Sequence, residues 1–217
     1  GNVEPYQTVS IKARVDGQIV EALFRDGQDV TKQQPLFRLD PRLFESQLKQ
    51  AEATLARETA QLAHARSQEA RYKDLLGKNF VSKDAYSQFL TNVDTAQATV
   101  RAGEAAVENM RLQLEYATIR SPIDGRTGKI MIQLGNLVKA NDTNPLVIIN
   151  QVSPIYVNFS VPEQYLGAIR AAMAKHMLKV EASLADSQGG PSANGELAFV
   201  DNAVDMTTGT VKLRAVF

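Results

Sequence analysis

Few residues in this sequence could do chemistry. The chain of 217 residues has two histidines and no cysteine, which excludes thiolate zinc sites, a cysteine nucleophile and disulfides. No Ser-His-Asp order with local motif support and no phosphate-binding glycine loop is present. We therefore expect no catalytic residues, no bound cofactor and no enzymatic activity.

One group of possible metal ligands lies near the end of a predicted helix that opens at Pro162-Glu163 and runs to about Lys175. Met173, His176 and Met177 would share one face of that helix, and thioether and imidazole groups suit Cu(I). However, methionine fills gaps in cores far more often than it binds metal, and a histidine at a helix end is favourable beside the helix dipole. We therefore predict no metal site.

The overall charge and hydropathy exclude other classes of function. Lys plus Arg and Asp plus Glu each number 24, so the formal net charge is zero and nothing favours a nucleic-acid partner. No apolar run approaches the ~20 residues that span a bilayer. The chain opens without a signal peptide and stops within a strand-like pattern, so we expect a segment of a longer protein.

An internal repeat predicts a small β-sandwich. Val15-Asp16-Gly17 is followed ten residues later by Gly27, and Ile123-Asp124-Gly125 is followed ten residues later by Gly135. In both copies a valine and a Pro-Leu segment follow, with the alternation of half-buried strands. Gly27 and Gly135 lie in predicted turns, where a positive φ is easiest for glycine. Two such half-motifs predict one pseudo-symmetric sandwich built from both.

Two long helices are predicted between the copies. No proline occurs between Pro41 and Ala117, and Asp40-Pro41 provides an N-cap acceptor with proline at the first helical position. Gly77 is the predicted C-cap, residues 77–81 the turn, and Ser82 the N-cap of the second helix. At 1.5 Å per residue, each helix would be roughly 50 Å long.

A heptad pattern on each helix predicts an antiparallel coiled-coil hairpin. The stripe of apolar positions, here named the seam, is too narrow to pack against further helices as in an ordinary bundle. Two glutamates interrupt it, and His64 falls at an outer, solvated position. The predicted seam comprises Phe44, Leu48, Ala51, Leu55, Glu58, Leu62, Ala65, Glu69, Tyr72 and Leu76 on the first helix, and Tyr86, Phe89, Val93, Ala96, Val100, Gly103, Val107, Met110, Leu114 and Ala117 on the second.

A split β-domain with a helical insertion resembles the periplasmic adaptors, or membrane fusion proteins, of resistance-nodulation-division (RND) efflux pumps. The resemblance covers nearly the whole chain in the family's order. Its matching stretches are 14–19, 24–30, 36–41, 116–126, 154–157 and 205–217.

The resemblance implies an α+β fold: an elongated, lipoyl-like β-sandwich split by a long antiparallel coiled-coil α-hairpin, plus a partial β-barrel domain. It implies an N-terminal strand of the barrel region at 1–10, a lipoyl-like domain at 11–40 and 118–150, the hairpin at 41–117 and a truncated β-barrel at 151–217. True lipoyl or biotinyl carriers have a modifiable lysine on the turn that the hairpin replaces here. Lys129 is better interpreted as a strand-surface residue, so acyl carriage is not expected.

The resemblance also implies a docking site at the hairpin tip. In the family an Arg, a Leu and a Ser contact a TolC-like outer-membrane channel, and they map to Arg71, Leu75 and Ser82 of this sequence. Arginine offers a planar set of donors, leucine an apolar knob and serine a small polar contact. The simpler alternatives are that Leu75 closes the coiled coil, Ser82 only caps its helix and Arg71 is a solvated charge.

The implied partners are an inner-membrane RND transporter, a TolC-like outer-membrane channel and further copies of the chain in a hexameric ring. The implied location is the periplasm, with the full-length protein anchored to the inner membrane. Two alternatives stay open. One is an adaptor of an ABC-type exporter or type I secretion system, and the other is an enzyme's carrier domain with a helical insertion.

Overall fold

The computed structural model describes residues 1–140, 142–183 and 192–217. The loop predicted at 187–192 lies outside these residues, apart from Ser192. The helices are α1 (Arg42–Gly77), α2 (Lys83–Tyr116) and α3 (Leu166–Met173), with a 3₁₀ turn at Glu163–Tyr165. The strands are β1 (Asn2–Ile11), β2 (Gly17–Ala22), β3 (Asp29–Val30), β4 (Pro35–Leu39), β5 (Thr118–Arg120), β6 (Gly125–Thr127), β7 (Leu137–Val138), β8 (Val147–Pro162), β9 (Lys179–Ala182), β10 (Ala193–Asp205) and β11 (Thr210–Val216).

The two sequence repeats exchange strands to form one sandwich. β3 of the first repeat pairs with β6 of the second, and β7 of the second pairs with β2 of the first. Within each repeat the pairing is equivalent, β2 with β4 and β6 with the start of β8. The Arg126 guanidinium in β6 donates to both carboxylate oxygens of Asp29 in β3, at 2.8 and 3.0 Å, and lowers the pKa of Asp29. The predicted pseudo-symmetric sandwich is confirmed.

The turns of the repeats have the predicted backbone geometry. Gly27 and Gly135 have φ values of +73° and +86°, which a residue with a Cβ adopts only with strain. Lys129, predicted on a strand surface, is exposed in the irregular segment just after β6.

The core of the sandwich draws on both repeats. Phe37, Leu36 and Leu39 from β4 are fully buried, together with Val147 and Ile149 from β8. The Phe24 ring meets the Phe37 ring edge to face, with the centroids 5.1 Å apart, which is a favourable geometry for aromatic pairs. The members of this core are Ile11, Ala13, Ile19, Phe24, Val30, Leu36, Phe37, Leu39, Phe44, Ala117, Ile119, Val138, Leu146, Val147 and Ile149.

Helices α1 and α2 form the predicted antiparallel hairpin. Pairs across it include Arg111 with Glu52 and Tyr72 with Phe89, so the chain positions run in opposite directions. Every predicted seam position on both helices is buried or half-buried, and His64 is exposed as predicted. With 36 and 34 residues, the helices extend roughly 50 Å at 1.5 Å per residue.

The two glutamates in the seam have different neighbours. Glu69 Oε1 accepts a hydrogen bond from the Tyr86 hydroxyl at 2.5 Å, and this bond raises the pKa of Tyr86. Glu58 lies opposite Gly103, and its Oε2 atom is buried with no hydrogen-bond partner in the described residues. Gly103 leaves room for the carboxylate, because a Cβ at this position would require the Glu58 side chain to shift.

Hydrogen bonds connect the sandwich to the hairpin where the helical insertion begins and ends. The Leu39 N–H donates to the Ala117 carbonyl at 2.8 Å, and β4 pairs with β5 on either side of the helical insertion. Helix α1 is assigned from Arg42, one residue later than predicted, although Pro41 already has helical dihedrals. Asp40 Oδ1 accepts a hydrogen bond from the Arg42 N–H at 3.1 Å, so Asp40 provides the predicted N-cap acceptor.

A second set of strands continues from the sandwich. The 16-residue strand β8 pairs with β1 along most of its length and then with β11, and β11 leads to β10 and β9. The predicted half-buried strands at the end of the chain are confirmed, since Val211, Leu213 and Ala215 alternate with more exposed neighbours. The α+β fold with a lipoyl-like sandwich, a hairpin and a partial barrel is therefore confirmed. The predicted boundaries after residues 10 and 150 fall inside β1 and β8 and stay predictions.

Candidate functional site at the hairpin tip

The end of α1 determines how the hairpin turns. The Phe80 N–H donates to the Leu75 carbonyl at 2.9 Å, and the Asn79 N–H donates to the Leu76 carbonyl at 3.0 Å. Asn79 has a φ of +62°, so these bonds form a Schellman motif with asparagine as the left-handed residue. The prediction that Gly77 caps the helix is wrong. Gly77 is the last helical residue, and the chain continues for one more residue before it turns.

The start of α2 is as predicted. Ser82 has an extended backbone, and its Oγ accepts from the Ala85 N–H at 3.2 Å. Asp84 lies in the first turn, where a negative charge is favourable beside the free N–H groups. Ser82 is exposed as well as capping, so it could also contact a partner.

The three predicted docking residues all lie at the closed end of the hairpin. Arg71 and Leu75 are one turn apart on α1, with Arg71 exposed and Leu75 half-buried. The Phe80 N–H donates to the Leu75 carbonyl. Ser82 follows Phe80 by two residues, so this bond brings Ser82 close to the end of α1. Their role in docking stays a prediction.

Aromatic packing supports the last turns of the hairpin. The Tyr72 and Phe89 rings stack with centroids 3.7 Å apart and an angle of 23° between their planes. Together with the Tyr86–Glu69 hydrogen bond, this contact joins α1 to α2 two to three turns from the tip. Packing between α1 and α2 therefore fixes the positions of the tip residues, as a binding site requires if it is to keep its geometry in contact with a partner.

The tip is cationic and carries an aromatic residue that the sequence interpretation did not assign to a site. Lys78 Nζ lies 2.7 Å from Asp74 Oδ2, the ion pair found among residues 71–84. Phe80 has 74% of its surface exposed. The sequence could have indicated this exposure, because Phe80 lies in the predicted turn between the two apolar seams. The charged residues of the tip are Arg71, Lys73, Lys78 and Lys83, with Asp74 and Asp84.

The candidate metal ligands are not arranged as predicted. Helix α3 ends at Met173, so His176 and Met177 lie beyond the helix and not on one of its faces. Met177 is 69% exposed. In the described part of the chain, no cluster of three or more His, Asp or Glu side chains could hold a metal ion.

A groove of about 460 Å³ lies at the other end of the hairpin, where α2 meets β5 and the end of β1. Arg14 stands 5.1 Å over the Tyr116 ring, and Arg120 donates to the Gln33 carbonyl at 3.0 Å. These cations are therefore engaged in holding the groove walls.

None of the helices in residues 1–140, 142–183 and 192–217 has both the length and the apolar character needed to cross a membrane.

Comparison with known proteins places these features in a family. Residues 7–150 match the barrel-sandwich hybrid domain of RND membrane fusion proteins (MFPs), and residues 154–217 match the β-barrel domain of the same proteins. The chain is 39% identical to the multidrug resistance protein MdtA of Klebsiella pneumoniae and 37% identical to MdtA of Proteus mirabilis. Each alignment covers 100% of this chain and 53% of the relative. The chain therefore spans about half the length of these curated relatives.

A solved structure has the same fold. A MacA–MexA chimera containing the Pseudomonas aeruginosa MexA α-hairpin domain superposes with a TM-score of 0.61 over 99% of this chain and 71% of the chimera, at 24% identity. At this identity the likeness concerns the fold alone. The two family matches, which together cover nearly every residue, show that this chain belongs to the RND membrane fusion proteins.

Proposed function

We propose that this chain is the elongated part of a periplasmic adaptor that links an inner-membrane RND transporter to a TolC-like outer-membrane channel in a multidrug efflux pump. The observation that carries the proposal is a hairpin of roughly 50 Å that extends from the sandwich of an RND membrane fusion protein. The relatives at 37–39% identity are named multidrug resistance proteins. The role is mechanical and non-catalytic.

In this proposal the hairpin is a spacer whose tip docks on the channel. The seam and the Tyr72–Phe89 stack stiffen the two helices, and Arg71, Leu75 and Ser82 lie where the partner would be met. Copies of the chain pack side by side as a hexameric ring around a conduit. The full-length protein is held at the inner membrane, on the periplasmic side.

The test uses the full-length protein in Gram-negative cells together with its transporter and channel. A cysteine replaces Lys78, which is exposed beside the tip, and crosslinking to the channel is measured with and without the pair Arg71→Asp and Leu75→Ser. We expect the pair to abolish the crosslink and to lower drug resistance at normal expression. The matched control is Arg101→Asp with Leu112→Ser, which changes an exposed arginine and leucine on α2 away from the tip.

Ser82 requires a variant that separates its capping role from docking. Ser82→Asp keeps an oxygen acceptor for the Ala85 N–H, because Asp is as good an N-cap as Ser. It also adds a negative charge to the docking surface. Retained thermal stability with lost crosslinking would support docking. Unchanged crosslinking and resistance in all tip variants would contradict the proposal, and crosslinks to an ABC-type exporter's channel would favour the secretion alternative.

A further inference from the structure

Among the residues that the structure describes, the most exposed aromatic side chain lies at the hairpin tip. Phe80 is 74% exposed, against 53% for Phe199, 52% for Tyr165 and 42% for Tyr6. A single exposed apolar residue is common on protein surfaces. Phe80 differs from such residues in its position, because it lies at the closed end of the hairpin, between the ends of two apolar seams.

The backbone holds Phe80 in this position. Its N–H is bonded to the Leu75 carbonyl at 2.9 Å, and the preceding Asn79 adopts the left-handed conformation. The residue at this place in a Schellman motif frequently packs back against the last turn of its own helix. Phe80 does so only in part, because most of its surface is in solvent and Leu75 is only half-buried. The turn therefore presents the ring outward on a fixed backbone.

The surroundings of Phe80 indicate the chemistry of a partner. Residues 71–84 contain four cationic and two acidic side chains, so the tip has a net positive charge. One of the two acidic residues, Asp74, is paired with Lys78. A protruding aromatic ring among cations fits an apolar notch bordered by carboxylate groups, and large aromatic residues dominate the binding energy of many interfaces.

We propose that Phe80 is the apolar anchor of the tip and inserts into an apolar, acid-bordered notch at the periplasmic end of the outer-membrane channel. This inference rests on the proposed function, and it adds a residue to Arg71, Leu75 and Ser82. The anchor supplies most of the apolar contact, while the cations orient the tip on the partner.

The experiment uses full-length adaptor in cells with its transporter and a tagged channel. Crosslinking from the cysteine at position 78 and drug resistance are measured for Phe80→Ala and Phe80→Leu. The matched control is Leu90→Ala, since Leu90 is a 45% exposed apolar residue on the same hairpin, two turns into α2. Thermal melting of each purified protein shows whether the hairpin is intact. We expect Phe80→Ala to reduce crosslinking by about tenfold or more, Phe80→Leu to keep most of it, and Leu90→Ala to leave it unchanged.

The outcomes separate this inference from the proposed function. Unchanged crosslinking in Phe80→Ala, with loss in the Arg71→Asp, Leu75→Ser pair, would overturn the anchor and leave the docking tip. Equal losses in Phe80→Ala and Leu90→Ala would also overturn it, since the effect would not belong to the tip. Full crosslinking in every variant, including the Arg71 and Leu75 pair, would reject the tip as a docking site altogether.

Discussion

At the residue scale, the joint between the sandwich and the hairpin includes an ion pair between Asp40 and Arg42. Asp40 follows β4, and its carboxylate accepts from the backbone N–H and the guanidinium of Arg42 in the first turn of α1. These bonds lower the pKa of Asp40 from 3.8 to about 2, with the Arg42 side chain as the main cause. A carboxylate near a helix N-terminus is also favourable for the helix itself.

The depressed pKa of Asp40 predicts how stability changes in acid. The unfolded chain takes up a proton at Asp40 at higher pH than the folded protein, so its stabilising effect is complete above about pH 4 and is lost as the pH falls through about 2. Chemical denaturation should therefore show that Asp40→Asn lowers the free energy of unfolding at pH 7. The difference from wild type should shrink between about pH 4 and about pH 2.

The control for this measurement is Asp94→Asn, which removes an exposed carboxylate in the middle of α2. It should change the free energy of unfolding by no more than about 0.5 kcal/mol, as surface substitutions usually do. A constant difference between Asp40→Asn and wild type from pH 7 to pH 2 would show that the Asp40 charge does not stabilise the joint.

At the scale of the element, the hairpin tolerates a carboxylate in its seam because of a glycine. Glu58 and Gly103 face each other, and a Cβ at position 103 would also approach Leu55 Cδ1 to 3.1 Å. Glycine in a helix interior costs about 1 kcal/mol relative to alanine. The pair therefore weakens the middle of the hairpin, which a purely apolar seam would not do.

A double-mutant cycle tests this coupling. Gly103→Ala alone should gain little stability, because the new methyl group displaces Glu58 from the seam. In a Glu58→Ala background the same change should stabilise the chain by about 1 kcal/mol, which gives a coupling energy of at least about 0.5 kcal/mol. Denaturation of wild type, both single variants and the double variant measures it. Equal effects of Gly103→Ala in the two backgrounds would mean that Glu58 does not occupy this space.

At the scale of the whole molecule, the hairpin is an insertion between two strands that pair with each other. β4 and β5 lie side by side, with the Leu39 N–H bonded to the Ala117 carbonyl, so both ends of the insertion leave the sandwich at one place. Phe44 of α1 belongs to the sandwich core, and Leu114 of α2 packs against it. The hairpin beyond these residues has its own packing seam.

Excision of the hairpin tests this independence. Replacing residues 40–116 with Asn-Gly, a favourable two-residue turn between the paired Leu39 and Ala117, should leave a chain that unfolds cooperatively and keeps its β-sheet circular dichroism. Its stability should fall by about 3 to 5 kcal/mol because the core loses a phenylalanine. Phe44→Ala in the intact chain is the matched control and should show a similar loss. A folded Phe44→Ala variant with an unfolded excised chain would mean that the sandwich needs the hairpin.

The features that the sequence alone determined are local or periodic. The seam positions, the positive φ of Gly27 and Gly135 and the Ser82 cap all follow from spacing along one segment, and the structure shows each of them. The heptad repeat is reliable over this length because every turn of the helix repeats the same preference. The family motifs gave the placement of Arg71, Leu75 and Ser82 at the tip, and their docking role awaits experiment.

Tertiary structure decided the rest. The exchange of β3 and β7 between the repeats joins positions about 100 residues apart. The repeat pattern alone does not determine whether these strands pair within one repeat or between the two repeats. The helix ends also depended on the elements that come next in the chain. Asn79, two residues after Gly77, is the residue with the positive φ at the end of α1, and α3 stops at Met173, six residues before β9 begins. Such choices follow from contacts made after the elements meet, which the spacing of residues along the chain does not contain.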